Sequence, residues 1–221
     1  MAPLVSCLMP TADRREFVGR AFKCFQQQTY PELELVVLDD GTDPIADLVP
    51  VDPRIRYIRQ HSKSNHGQKL NFCNIVANGE FAIVFDDDDA YAPDRVAKQV
   101  WPLLLGDKTV SGTSVLNYYI HGQKLCFQYS WPEPQAPWIG AIAFRRDWAL
   151  AHPFKPIVFG ADLEFLKGIP RDKWVDLKDP SYLVCAVHAT NAAPKSPQSQ
   201  AASKYYKPIP WESLPEWFLN A

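Results

Sequence analysis

Four consecutive carboxylates, Asp86, Asp87, Asp88 and Asp89, end an apolar run, Phe-Ala-Ile-Val-Phe, at positions 81–85. A short run of β-formers without glycine or proline reads as a strand buried on both faces, as in a parallel sheet. Adjacent anions repel, so this strand end needs solvent or a cation beside it. Side chains alternate along an extended chain, which lets Asp86 and Asp88 converge on one ligand. Oxygen donors so placed suit a hard divalent ion, Mn²⁺ or Mg²⁺. The same run also reads as a solvated acidic loop leading into a helix at Pro93-Asp94. The neighbouring segments decide between the two.

Residues 4–9 form a first strand stopped by Pro10-Thr11. Asp13 with Glu16 three residues on suggests a capping box for a helix whose buried stripe is Phe17, Val18, Ala21, Phe22 and Phe25. After Tyr30-Pro31 a second strand, 33–38, runs into Asp39-Asp40-Gly41, completing a βαβ unit with a right-handed crossover. Acidic groups thus stand at two strand C-termini, the place where open α/β sheets bind ligands. For Asp39 and Asp40 a plain turn is the competing reading. A third strand, 55–58, precedes a helix at 68–77 with Lys69 and Asn71 in its first turn, closed by Asn78-Gly79 as a left-handed cap. Beyond the acidic run come a helix, one strand at 109–120, and a hairpin at His121-Gly122 into a strand at 124–129. Segment 131–137 is proline-rich, and a last strand spans 182–187. Residues 192–203 are composed as a flexible loop. The aromatics after it, Tyr205, Tyr206, Trp211, Trp217 and Phe218, are expected to fold over the cleft as a lid or to make a homodimer contact.

With 221 residues and a formal charge of -2, the chain suits one domain and carries no electrostatic footprint for nucleic acid. Its five dispersed cysteines read as reduced core thiols, pointing to a cytoplasmic location. No run is long enough to span a membrane and no signal-peptide pattern opens the chain, while peripheral membrane contact stays open.

Five segments in order resemble family 2 glycosyltransferases. They are Val5-Ser6-Cys7-Leu8-Met9-Pro10-Thr11, Gln28-Thr29-Tyr30-Pro31, Glu34 through Gly41, Asn78-Gly79-Glu80-Phe81, and Phe85 through Arg95 with its D-x-D run. The resemblance implies the α/β GT-A fold, a Rossmann-like, mostly parallel central sheet flanked by helices. The resemblance covers about residues 3–190 and implies a domain at 1–191, with a donor half of about 1–100 and an acceptor half of about 101–191, followed by a loop and aromatic tail at 192–221. It implies inverting transfer from a nucleotide-diphosphate sugar, UDP- ahead of GDP-, to the hydroxyl of a glycan or glycoconjugate acceptor, in surface glycan synthesis. Carried over, Pro10, Thr11 and the Asp39-Asp40 pair serve the nucleotide, with Asp40 on the base and Lys69 on phosphate. Asp86 or Asp87 takes the ribose, and Asp88 with Asp86 takes the metal. His188, in His188-Ala189-Thr190-Asn191, joins the metal or the diphosphate. Asp162, within Phe159-Gly160-Ala161-Asp162, corresponds to the catalytic base and also reads as a helix N-cap. Trp131 and Trp138 read as core packing or as sugar-stacking faces.

The chain departs from the family pattern in three places. Ala12-Asp13 replaces an aromatic-Asn pair, Lys69 stands in for an absent arginine, and Ala161 replaces a glutamate. Two alternatives are a sugar nucleotidyltransferase and a catalytically inactive module that binds nucleotide sugar or glycan. The first needs a glycine-rich loop after the first strand, and positions 10–15 contain no glycine.

Overall fold

The structure is a computed structural model, and it describes residues 1–130, 140–191 and 205–220. Trp131, Trp138, the proline-rich segment and the 192–203 loop lie outside the described residues. A seven-stranded sheet has the order β10-β6-β9-β4-β1-β2-β3. Its first half comprises β1 (Val5–Thr11), β2 (Leu33–Asp39), β3 (Ile55–Arg59) and β4 (Phe81–Val84), all mutually parallel. Of the remainder, β9 (Gly140–Arg145) runs antiparallel to both β4 and β6 (Val110–Thr113), while β10 (Trp174–Asp176) is parallel to β6.

Strand β4 confirms the two-faced burial read from its apolar run. Phe81 and Ile83 join one core with Phe22 and Phe25 of α1 (Arg15–Gln26) and Val96 and Val100 of α3 (Arg95–Leu104). Ala82 and Val84 join the other, with Leu70 of α2 (His66–Val76), Ala149 of α4 (Arg146–Ala151) and Phe165 of α5 (Ala161–Lys167). A second, mixed sheet has the order β12-β8-β7-β11-β5. It contains β5 (Ala90–Tyr91), β7 (Val115–Ile120), β8 (Cys126–Ser130), β11 (Leu183–Val187) and β12 (Tyr206–Ile209). Asp89 stitches it to the acidic run, accepting from the Ala186 N–H at 2.8 Å.

Several local expectations are corrected. The single strand at 109–120 is two strands in different sheets, broken at Ser114, whose N–H is taken by Asp176 Oδ1 at 2.9 Å. Gly79 is not a left-handed cap. A Cβ there would stand 2.6 Å from Ser6 Oγ and 2.7 Å from Ser6 N, so the residue is small to let two backbones meet. Asp13 does not cap α1. Its carboxylate instead accepts from the N–H groups of Thr42 and Asp43, at 2.5 and 3.0 Å. In the tail, β12 pairs antiparallel with β8, and Trp217 Nε1 donates to the Ser181 carbonyl at 2.7 Å near the final helix α6 (Glu216–Leu219).

Arg95 holds the carboxyl end of β4. Fully buried, it donates to the Val84 carbonyl at 2.5 Å and to Gln99 Oε1 at 2.9 Å, with its guanidinium 4.0 Å from the Tyr91 ring centroid. Arg95→Ala removes this packing and strands a buried carbonyl. It is expected to cost about 2–4 kcal/mol in urea unfolding. Arg15→Ala, which breaks only exposed contacts with Asp43, Asp47 and the Pro44 carbonyl, is expected to shift the unfolding midpoint far less.

Candidate active site

The carboxyl ends of β1 and β4 and the first turn of α2 open on a cavity of about 380 Å³. Pro10, Thr11, Lys69, Asp86, Asp87, Asp88 and Asp162 all line it, so residues scattered over much of the sequence meet in one place. Asp39, Asp40 and His188 do not line it, but Asp40 and His188 bond directly to residues that do.

Asp39 is completely buried and shapes the turn after β2. Its carboxylate accepts from the Gly41 and Ile45 N–H groups at 2.8 and 3.0 Å and from Tyr57 Oη at 2.8 Å. Asp40 accepts from the Ser64 N–H at 2.7 Å and is paired with Lys69 Nζ at 2.9 Å. Lys69 also donates to the Thr11 carbonyl at 3.2 Å, so one ammonium ties α2 to the ends of β1 and β2. Charge-assisted bonds of this kind offset the cost of burying both ions.

At the acidic strand end, Asp88 Oδ2 lies 3.0 Å from His188 Nε2, 3.4 Å from Asn191 Nδ2 and 3.4 Å from Arg14 Nη1. The His188 ring is stacked on Phe17, centroids 4.2 Å apart, which fixes its plane. The backbone of the run is held as well, with Arg20 donating to the Asp88 carbonyl at 2.5 Å and Tyr91 Oη to that of Asp86 at 3.1 Å. Burial, and then the neighbouring Asp88 charge, push the Asp87 carboxyl up to about 8. Among the described residues, no three His, Cys, Asp or Glu side chains are gathered closely enough to enclose a metal. The donors present are a carboxylate and an imidazole in contact, with Asp86 in the same cavity. That set fits a divalent ion whose other positions are filled by oxygen from a ligand or water.

Asp162 lines the same cavity. It sits in the first turn of α5 and does not act as the N-cap. Gly160, in the left-handed region at φ 71°, takes the cap position. Two contacts bring α5 and the segment before it to the cleft. Asn71 brackets Phe154, donating to its carbonyl and accepting from its N–H, both at 2.8 Å, so this side chain is structural. At Gly67, a Cβ would fall 1.9 Å from the Lys155 carbonyl oxygen. Helix α2 starts two residues earlier than its apolar pattern suggests, under an Asn65–Gln68 capping box that the N-x-x-Q spacing carries.

Sequence reasoning missed Arg14, Arg20 and His66. His66 lines the cavity with Asp162, and burial pushes its imidazole below the ordinary value against the pull of the Asp162 carboxylate. A hydrophilic residue at a helix N-terminus or on an exposed stripe gives no pattern by which such a role could be read.

A largely parallel sheet with carboxylates at its carboxyl edge, backed by a smaller mixed sheet, is the GT-A architecture, and solved structures agree. TarS residues 1–349 from S. aureus, in complex with UDP, superposes with a TM-score of 0.65 at 17% identity, covering 83% of this chain and 60% of that one. The mannosyltransferase PcManGT from Pyrobaculum calidifontis, in complex with GDP-Man and Mn²⁺, gives 0.66 at 19% identity over 89% and 59%. The sequence profile of Glycosyl transferase family 2 matches residues 6–138, more than half of the chain, and the chain belongs to that family. Among relatives, the putative colanic acid biosynthesis glycosyl transferase WcaA of Escherichia coli is 27% identical over 178 residues, 73% of this chain and 62% of that protein. The glycosyltransferase GlyG of Streptococcus pneumoniae is 25% identical over 142 residues, 58% and 47%. The chain therefore spans less than two thirds of the length of these relatives. No helix among the described residues is long and apolar enough to cross a membrane.

The raised Asp87 carboxyl has a signed consequence. Its folded pKa, about 8, lies above the ordinary carboxylate value, so the folded state favours the protonated form. In metal-free protein, the Asp87 contribution to stability is fully present below about pH 4 and is lost as pH rises through about 8. Asp87→Asn is expected to flatten this fall in melting temperature between about pH 5 and about pH 8.5. Parallel curves for the two proteins would contradict it.

Proposed function

We propose that this chain is the catalytic domain of a metal-dependent, inverting glycosyltransferase. It moves a sugar from a nucleotide-diphosphate donor to an acceptor hydroxyl in cytoplasmic assembly of a surface glycan or glycoconjugate. The observation that carries the reading is the meeting of Asp86, Asp87 and Asp88 with Asp162 in one cavity at the sheet's carboxyl edge. Family membership supports it, as do the UDP and GDP-Man complexes of the two structural neighbours.

In this reading Asp40 and Lys69 hold the nucleotide end, Asp40 at the base and Lys69 near phosphate, with Pro10 and Thr11 beside them. Asp39 contributes by fixing the turn that presents Asp40. Asp86 and Asp87 serve the ribose. Asp88 and His188, with Asp86, are the residues to hold a divalent ion. Bound there, Mn²⁺ or Mg²⁺ would supply Lewis-acid neutralisation of the diphosphate. Asp162 takes the proton of the acceptor hydroxyl while that oxygen forms its bond to the anomeric carbon. The bond from that carbon to the diphosphate oxygen breaks on the opposite side, and its electron pair leaves with the nucleoside diphosphate. A carboxylate suits this work because the proton need move only as the oxygen becomes acidic in the transition state. Phe159, half-exposed at the cavity wall beside Asp162, offers an apolar face to the acceptor.

Thermal unfolding with UDP, GDP, CDP and dTDP, each with and without Mn²⁺, tests the donor site, since a ligand that binds only the folded state raises the melting temperature. One nucleotide is expected to give a metal-dependent shift that Asp88→Ala abolishes. Asp162→Asn is expected to keep that shift while slowing transfer by about 10²–10⁴-fold. Absence of any shift in well-folded protein removes the donor-site reading. A normal shift with no turnover for any donor and acceptor makes the chain a binding module.

A further inference from the structure

Asp13 has a backbone that L residues rarely adopt, with φ 57°. Its own side chain enforces the conformation. Oδ1 accepts from the Thr42 N–H, the Thr42 hydroxyl at 2.8 Å and the Asp43 N–H, and Oδ2 is 3.1 Å from Lys63 Nζ. A strained non-glycine residue persists only where its surroundings over-determine it, and such places cluster at functional sites. Here the strained turn precedes a side chain committed to the acidic cavity, that of Arg14.

The Arg14 side chain is 11% exposed. Its Nη1 lies 3.4 Å from Asp88 Oδ2, 3.0 Å from His188 Nε2 and 3.2 Å from Thr190 Oγ1, and its Nη2 donates to the Thr190 carbonyl. Asp88 and His188 are two of the three groups assigned above to the divalent ion. Arg14 Nη1 is also 3.3 Å from His188 Nδ1, so it lies against the face of the imidazole and beside the carboxylate. A divalent ion held by these two groups would sit against a like charge, which is costly at such a distance.

We propose that Arg14 is a resident cation of the donor site. It compensates Asp88 and holds the 188–191 segment before metal arrives, it and the divalent ion exclude one another at Asp88 and His188, and the displaced guanidinium turns to the donor diphosphate. This rests on the donor-site reading. The fork of a guanidinium matches phosphate oxygens bidentately, so an anion entering the same cavity gives it a new partner. Metal and nucleotide then help each other bind, because the nucleotide takes up the group the metal must expel.

The test reads free Mn²⁺ by electron paramagnetic resonance in titrations of the full chain, wild type against Arg14→Gln and Arg14→Lys. Each titration is made with no nucleotide and with each of the four nucleoside diphosphates. Losing a charge-assisted contact of this kind is expected to tighten nucleotide-free Mn²⁺ binding in Arg14→Gln about tenfold. Nucleotide binding is expected to weaken by a similar factor, so the mutual enhancement shrinks. Arg14→Lys falls between, and Asp88→Ala added to Arg14→Gln abolishes the gain. If wild type binds Mn²⁺ with a nucleotide but neither variant, folded by circular dichroism, binds Mn²⁺ more tightly alone, Arg14 is not a competitor and the proposal fails by itself. If no protein binds Mn²⁺ with any nucleotide, the donor-site reading fails and takes the proposal with it.

Discussion

Negative charge gathered at the buried ends of β2 and β4 is the constraint that the rest of the molecule answers. Carboxylates taken out of water are costly unless paired or hydrogen-bonded. The compensation comes from several separate elements. Lys69 of α2 pairs with Asp40, and Arg59 of β3 donates to the Asp39 carbonyl at 2.8 Å. Arg14 and Arg20, in and just before α1, approach the carboxylate and the carbonyl of Asp88. Arg95 of α3 closes on the last carbonyl of β4. The packing of helices around this sheet edge is therefore also the solution of an electrostatic problem, and the cleft is its unfinished part.

Much of this was legible because apolar alternation and carboxylate placement are local. Four parallel strands, their order of use and the acidic run follow from residues adjacent in the chain. The convergence of Asp162 on the same cavity came from motif resemblance, since no periodicity brings residue 162 to residue 88. The errors have a common cause. Asp13 obeys the capping-box spacing, but two backbone N–H groups at 42–43 are better partners for its carboxylate. Gly79 follows an Asn as a cap glycine does, yet what it accommodates is Ser6, 73 residues away. The strand read at 109–120 is continuous in propensity and is divided by which sheet each half can join. In each case a distant partner outbid the local rule, which propensity alone cannot foresee.

Departures from the family pattern proved informative in the same way. Ala12-Asp13 breaks an aromatic-Asn pair, and the structure puts a left-handed aspartate and an inward arginine at that turn. Asp89 ties the acidic run to β11, and the segment after β11 carries His188 and Asn191 back to Asp88. A loop of carboxylates is thus braced from both sheets.

The contact at Gly67 sets a rule for how this site can diversify. The backbone of residues 155–157 touches the first turn of α2 with no room for even a methyl group, and the Gly67 N–H donates to the Ile157 carbonyl at 3.3 Å. The chain leading to Asp162 is thereby clamped against the helix that carries Lys69. Lengthening or rerouting that segment would drag one carboxylate away from the other half of the chemistry. Change is more readily accommodated by exchanging exposed side chains along this fixed rail, at Val158 and Phe159, than by remodelling the rail itself.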